Sequence, residues 1–194
     1  MNGRDAADAP FTLRWAPLEP GVARRDIAWA LLRMMLPASA RLTNPCVHCG
    51  GPHGAVRIAG ADAVASVTYT GGFAVVATAP RAAAASVGID AETAQPGDGE
   101  SYRGVLGPGT VSSPREWARV EAALKADGRG LRVDPAGVVV RELPLGGSGT
   151  PPHWEASVPG GGAFSGWDAA GPAGTVVSVA LRPAAAEAGE APGR

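Results

Sequence analysis

Residues 86 to 92 read SVGIDAE, an apolar strand that runs into two acids. Successive side chains on a strand alternate faces, so the carboxylates of Asp90 and Glu92 point the same way. Further along, SPREWARVEAALKADG (113–128) predicts a helix. Ser113 can cap it, Pro114 suits the first turn, and Glu116 stands three residues after Ser113 as a capping box requires. Trp117, Val120 and Leu124 form its apolar stripe, and Gly128 ends it. Glu121 and Lys125, four apart, then share one helix face. Three converging carboxylates, Asp90, Glu92 and Glu121, suit a hard cation such as Mg²⁺. A lysine beside them suits a phosphoryl charge or proton removal. The same residues equally fit an exposed strand end and an ordinary Glu–Lys helix pair worth ~0.3 kcal/mol. Lys125 is the single lysine in a chain with sixteen arginines. Lysine is a compact charge with a responsive pKa, whereas arginine is a fixed, always-charged fork.

Around this centre the pattern is mixed. Residues 22 to 36 predict a helix with Ile27, Leu31, Met34 and Met35 on its apolar side, stopped by Pro37. The connector NPCVHCGGPHG (44–54) leads into the short strand VRI. Residues 64 to 79 read as a hairpin turning at Thr70, Gly71 and Gly72. Residues 93 to 112 are rich in Gly, Pro and Ser and read as a surface loop. Further strands are expected over 137–143, 153–158 and 174–181, with a long turn over 159–174 and a disordered tail. The expectation is an α+β fold of two comparable lobes, residues 1–85 and 86–182, the second carrying the acidic site, and a tail over 183–194.

The totals bound the function. The chain has 194 residues and a formal net charge of −1, so it has no general affinity for polyanions. Any phosphate site is local, and no nucleic-acid partner is expected. The N-terminal stretch lacks a basic flank followed by an apolar core. The longest apolar run, IAWALLRMMLPA, is broken by Arg33 and is short of the ~20 residues that span a bilayer. A cytoplasmic protein without membrane contact is the expectation. Cys46-x-x-Cys49 with His53 is a partial zinc pattern, since a structural site needs four ligands and only His48 is nearby. A local turn with reduced thiols is expected instead.

VGIDAE (87–92), followed by Trp117, Glu121, Ala122, Lys125, Ala126, Gly128, Gly130 and Leu131, resembles the motifs of the Sfp (surfactin synthetase-activating) type 4′-phosphopantetheinyl transferases. SVTYTGGFAVVA (66–77) looks like that family's Asn-Leu-Ser-His-Ser segment, and HGAVRI (53–58) like its Gly-Lys-Pro region. The resemblance runs from about Arg24 to Leu181. It implies a pseudo-dimer of two similar lobes, each a small antiparallel sheet on a long helix, with coenzyme A between them. It also implies Mg²⁺-dependent transfer of the phosphopantetheine arm to a serine of an acyl or peptidyl carrier protein, releasing 3′,5′-ADP.

By the same resemblance Mg²⁺ falls to Asp90, Glu92 and Glu121, with Glu121 as general base and Lys125 as the cation at the phosphates. Coenzyme A falls to Arg24, His53, Arg57, Thr68, Tyr69, Asp90 and Lys125. Tyr69 stands where the family has histidine, and Ala55 where it has lysine. These departures leave an alternative: a noncatalytic relative that binds coenzyme A or a carrier. A monomer is expected. The carrier-contact residues are not assigned, although Arg115, Arg119 and Arg129 come into question for a docking patch.

Overall fold

In the computed structural model the described residues are 9–94, 113–144 and 152–184. Strand β1 (Thr12–Pro17) leads to helix α1 (Arg24–Met35), the short strands β2 (Arg41–Thr43) and β3 (Arg57–Ala59), and the hairpin β4 (Ala63–Thr70) and β5 (Phe73–Pro80). Then follow β6 (Ala84–Thr93), helix α2 (Pro114–Asp127), β7 (Val139–Glu142), β8 (Trp154–Val158), β9 (Gly162–Ala169) and β10 (Thr175–Pro183). All pairing is antiparallel, in a three-stranded sheet β1-β5-β4, a five-stranded sheet β6-β10-β9-β8-β7 and the small β2-β3 ribbon. The class is therefore α+β.

Period-two alternation explains the layering. On β5, Val75 and Ala77 join a cluster with Val87, Ile89, Val177, Val179 and Leu181 of the second sheet. Ala74 and Val76 of the same strand pack with Ala28, Leu31 and Leu32 of α1. The two sheets thus share an inner core, and each carries a helix on its other side. Val120, Ala123 and Leu124 of α2 pack with Trp154, Val158, Phe164 and Ala180. Phe11 meets Trp167 edge to face at 5.7 Å across the shared core.

The expected elements mostly stand where the pattern put them. Ser113 caps α2, its Oγ accepting from the Glu116 N–H at 3.2 Å, and Gly128 ends the helix in the left-handed conformation. The hairpin turns at Gly71 and Gly72. Four readings are corrected. Residues 162–169, expected within a long turn, form β9 between β8 and β10. Their glycines mark close packing: a Cβ at Gly166 would sit 2.1 Å from the Trp154 indole. Strand β1 was not anticipated. Met34 is exposed, and Ala28, Leu31 and Leu32 form the buried side of α1. The two sheet–helix units are unequal, three strands against five. The loop expected over 93–112 begins after β6, which runs to Thr93, and 95–112 lie outside the described residues. Strand β10 reaches Pro183, and 185–194 of the expected tail lie outside as well. Among the described residues no helix is long and apolar enough to cross a membrane.

Candidate functional site

Strand β6 presents Ser86, Gly88 and Asp90 to helix α2. Ser86 Oγ donates to the Ala126 carbonyl at 2.6 Å. Two residues on, a Cβ at Gly88 would lie 2.0 Å from the Ala122 carbonyl oxygen, so only glycine lets the helix backbone approach this closely. Two more residues on, Asp90 meets Lys125 and Glu121. The glycine inside VGIDAE is therefore what brings the acid of the strand to the acid and the cation of the helix.

Lys125 Nζ donates to Asp90 Oδ1 at 2.6 Å and to Thr68 Oγ1 at 3.2 Å, and it lies 3.5 Å from Glu121 Oε2. Thr68 Oγ1 donates to Asp90 Oδ1 at 2.9 Å. Asp90 is buried, and its second oxygen, Oδ2, has no hydrogen-bond partner. Burial pushes the Glu121 carboxyl above the usual range, with the Asp90 carboxylate adding to it and Lys125 pulling the other way. The sequence-predicted residues Thr68, Asp90, Glu121 and Lys125 are thus one constellation. Glu92 follows on the same strand, but the three carboxylates do not close to within 4.8 Å of one another. Among the described residues, the one group of three metal-type donors that does so is Cys46, Cys49 and His53.

Lys125 also lines a cleft of about 560 Å³. Among the described residues its walls hold Arg24, Arg25, Arg57, Arg129 and Arg132 besides Lys125, and no carboxylate. In a chain of net charge −1 this is a strong local concentration of positive charge. Of the seven residues expected at coenzyme A, Arg24, His53, Arg57, Tyr69 and Lys125 line the cleft. Thr68 and Asp90 connect to it through Lys125. The Arg24 guanidinium lies 4.8 Å over the Tyr69 ring. Burial raises the Tyr69 hydroxyl pKa, and Arg24 and Arg25 oppose the shift. Arg129 and Arg132 were missed as cleft residues. The basic, glycine-rich run GRGLR (128–132) directly after the helix was the available signal.

Of the arginines considered for docking, Arg115 is exposed and lies 3.9 Å from Asp168. Arg119 is corrected, because its side chain is only 7% exposed and bridges Asp168 at 2.7 Å and Glu142 at 2.9 Å. Burial works against its charge, yet the bonds to Asp168 and Glu142 outweigh this and raise its pKa. Burial likewise opposes ionisation of Asp168, but Arg119 and Ser178 hold its carboxyl below the usual range. Arg129 is bound to Asp127 at 2.6 Å and to the Pro159 carbonyl at 2.8 Å.

No protein-family model matches the chain, and no curated protein matches it.

Proposed function

We propose that the chain transfers the 4′-phosphopantetheine group of coenzyme A to a serine of an acyl or peptidyl carrier protein. The observation that carries this reading is the cationic cleft joined through Lys125 to Asp90 and Glu121. A donor with a 3′-phosphate and a pyrophosphate needs such a cleft, and its reacting phosphate needs a base and a cation at one end. Arg24 and Arg25 stand in the first turn of α1, where the helix dipole disfavours cations, and a bound phosphate would offset that cost.

In this reading the two unequal sheet–helix units are the lobes of a pseudo-dimer with the donor between them. Glu121 takes the proton of the carrier serine. The serine oxygen bonds to the phosphorus that bears pantetheine. The bond from that phosphorus to the oxygen of 3′,5′-ADP breaks, and the electron pair leaves with the ADP. A carboxylate with a raised pKa is a stronger base than an ordinary glutamate, which suits Glu121 to this role. Lys125 meets the phosphate charge as it develops. The buried, unpartnered Asp90 Oδ2 is a hard donor suited to a divalent cation, and Asp90, Glu92 and Glu121 would hold it only by drawing closer together than they stand in this structure. Mg²⁺ bound there supplies charge neutralisation at the pyrophosphate.

The test is intact mass of an apo carrier protein after incubation with the chain, coenzyme A and Mg²⁺. A gain of one phosphopantetheine group, lost with Glu121→Ala and without metal, is the expected result. Coenzyme A binding with no gain on several unrelated carriers would replace transfer by a noncatalytic binding role.

A further inference from the structure

Residues 44–54 form a wall of the cleft without regular secondary structure. Val47, the one large apolar side chain between Pro45 and Pro52, is 68% exposed, so no apolar core holds this segment. It is nevertheless tightly folded. The Gly50 N–H donates to the Cys46 carbonyl at 2.9 Å, the Cys46 N–H to the Gly51 carbonyl at 2.8 Å, and the Gly54 N–H to the Asn44 carbonyl at 2.8 Å. A Cβ at Gly54 would lie 2.3 Å from the Pro45 carbonyl oxygen, so the two ends of the loop press together.

Closing the loop in this way gathers its soft donors. One ligand atom each from Cys46, Cys49 and His53 lies within 4.8 Å of the others, and Cys49 Sγ is 3.0 Å from His53 Nε2. The Gly51 N–H points to Cys49 Sγ at 3.4 Å. Tetrahedral zinc, with bonds of ~2.3 Å to sulfur and ~2.0–2.1 Å to nitrogen, sets its donors ~3.5–3.8 Å apart. That spacing lies between the 3.0 Å contact and the 4.8 Å outer limit.

We propose that Cys46, Cys49 and His53 bind one zinc ion, with water as the fourth ligand. Two thiolates and an imidazole are a donor set that selects zinc over hard cations. His48 does not join the three donors within 4.8 Å of one another, and its Nε2 is engaged by the Arg132 guanidinium. The ion crosslinks the loop in place of the missing core. It thereby fixes the wall that carries Arg57 and receives Arg25, whose guanidinium donates to the Pro52 carbonyl at 3.4 Å. With Nε2 on the metal, His53 keeps only Nδ1 for an anion in the cleft. The site stands on donor geometry and does not depend on the transfer reaction.

The test is zinc content of the full chain, purified under reducing conditions and passed over a chelating resin. The expected result is one zinc per chain, falling to near none in Cys46→Ser and Cys49→Ser and unchanged in His48→Ala. Cobalt substituted into the wild-type chain is expected to give a thiolate-to-metal charge-transfer band, a readout that needs no variant to fold. The proposal is overturned if the wild-type chain holds no zinc after exposure to it and gives no such band. Zinc retained by the double serine variant overturns it too, as does an intact mass lighter by two hydrogens in a zinc-free chain, which would show a disulfide. Loss of zinc in His48→Ala would overturn water as the fourth ligand.

Discussion

On helix α2, Arg119 lies between two carboxylates, Asp168 and Glu142, whereas further along two carboxylates, Asp90 and Glu121, share Lys125. In the first cluster both Asp168 oxygens are bonded, Oδ1 to Arg119 Nε and Ser178 Oγ and Oδ2 to Arg119 Nη2. In the second, Thr68 and Lys125 both donate to Asp90 Oδ1, and Oδ2 receives nothing. The first arrangement is closed and holds β9 and β10 to the helix. The second has acceptor capacity left over and a carboxyl, that of Glu121, whose pKa burial raises. A buried ion cluster is a candidate for chemistry when its bonding is incomplete, and a fastener when it is complete.

The largest effect is expected at the closed cluster. Arg119→Ala leaves Asp168 without its main partner and should cost ~3–5 kcal/mol, read as a lower urea midpoint. A loss below ~1 kcal/mol would erase the contrast, because it would make the pair dispensable. Next comes Gly88→Ala, at ~1–3 kcal/mol, since helix backbone must move to admit the methyl group. That variant should also lose transfer, because α2 then carries Lys125 and Glu121 away from Asp90.

Lys125→Arg should change stability by less than ~1 kcal/mol yet lower transfer ~10²-fold, because a fork replaces a point charge at the reacting phosphate. Normal turnover would show that any cation serves there. The smallest effect has the opposite sign. The folded-state pKa of Glu121 is raised, so its ionisation costs stability. The cost is absent below the unfolded pKa, grows as pH rises to the folded pKa, and stays constant above it. Glu121→Gln should therefore gain stability over wild type across that window. Asp168, with its lowered pKa, contributes stability above its unfolded pKa and loses it as pH falls through the folded one. Asp168→Asn should therefore lose ground to wild type as pH rises through that lower window. Thermal melts of both variants across pH should diverge from wild type in these two directions. A Glu121→Gln difference that stays flat with pH would remove the claim that its carboxyl is perturbed.

The same contrast marks what was legible in the sequence. Asp90, Glu121 and Lys125 could be read because each pair lies on one element, where the periods of strand and helix fix the face. Arg119 could not, because its partner Asp168 is 49 residues away and lies in a segment whose glycines imitate a loop. Gly166 is there to clear the Trp154 ring, a reason invisible until β8 and β9 are paired. Strand β1, TLRWAP, ends on proline and carries Arg14 and Trp15 in its middle, so its alternation is weak. Cys46, Cys49 and His53 were counted as too few for a metal by spacing alone. The pinching of the loop at Gly54 and Pro45 is what brings their donors together.

The edge strands β4 and β6 meet through side chains: Ser66 Oγ accepts from the Ile89 N–H at 3.1 Å, and Thr68 bonds Asp90. The constellation is therefore assembled from both sides of that junction, with Thr68 from one sheet, Asp90 from the other, and Glu121 and Lys125 from the helix packed on the latter. A chain severed between Pro80 and Ala84 would give two fragments, neither of which owns the whole set. Activity regained on mixing them would measure the rejoining of the two sheets.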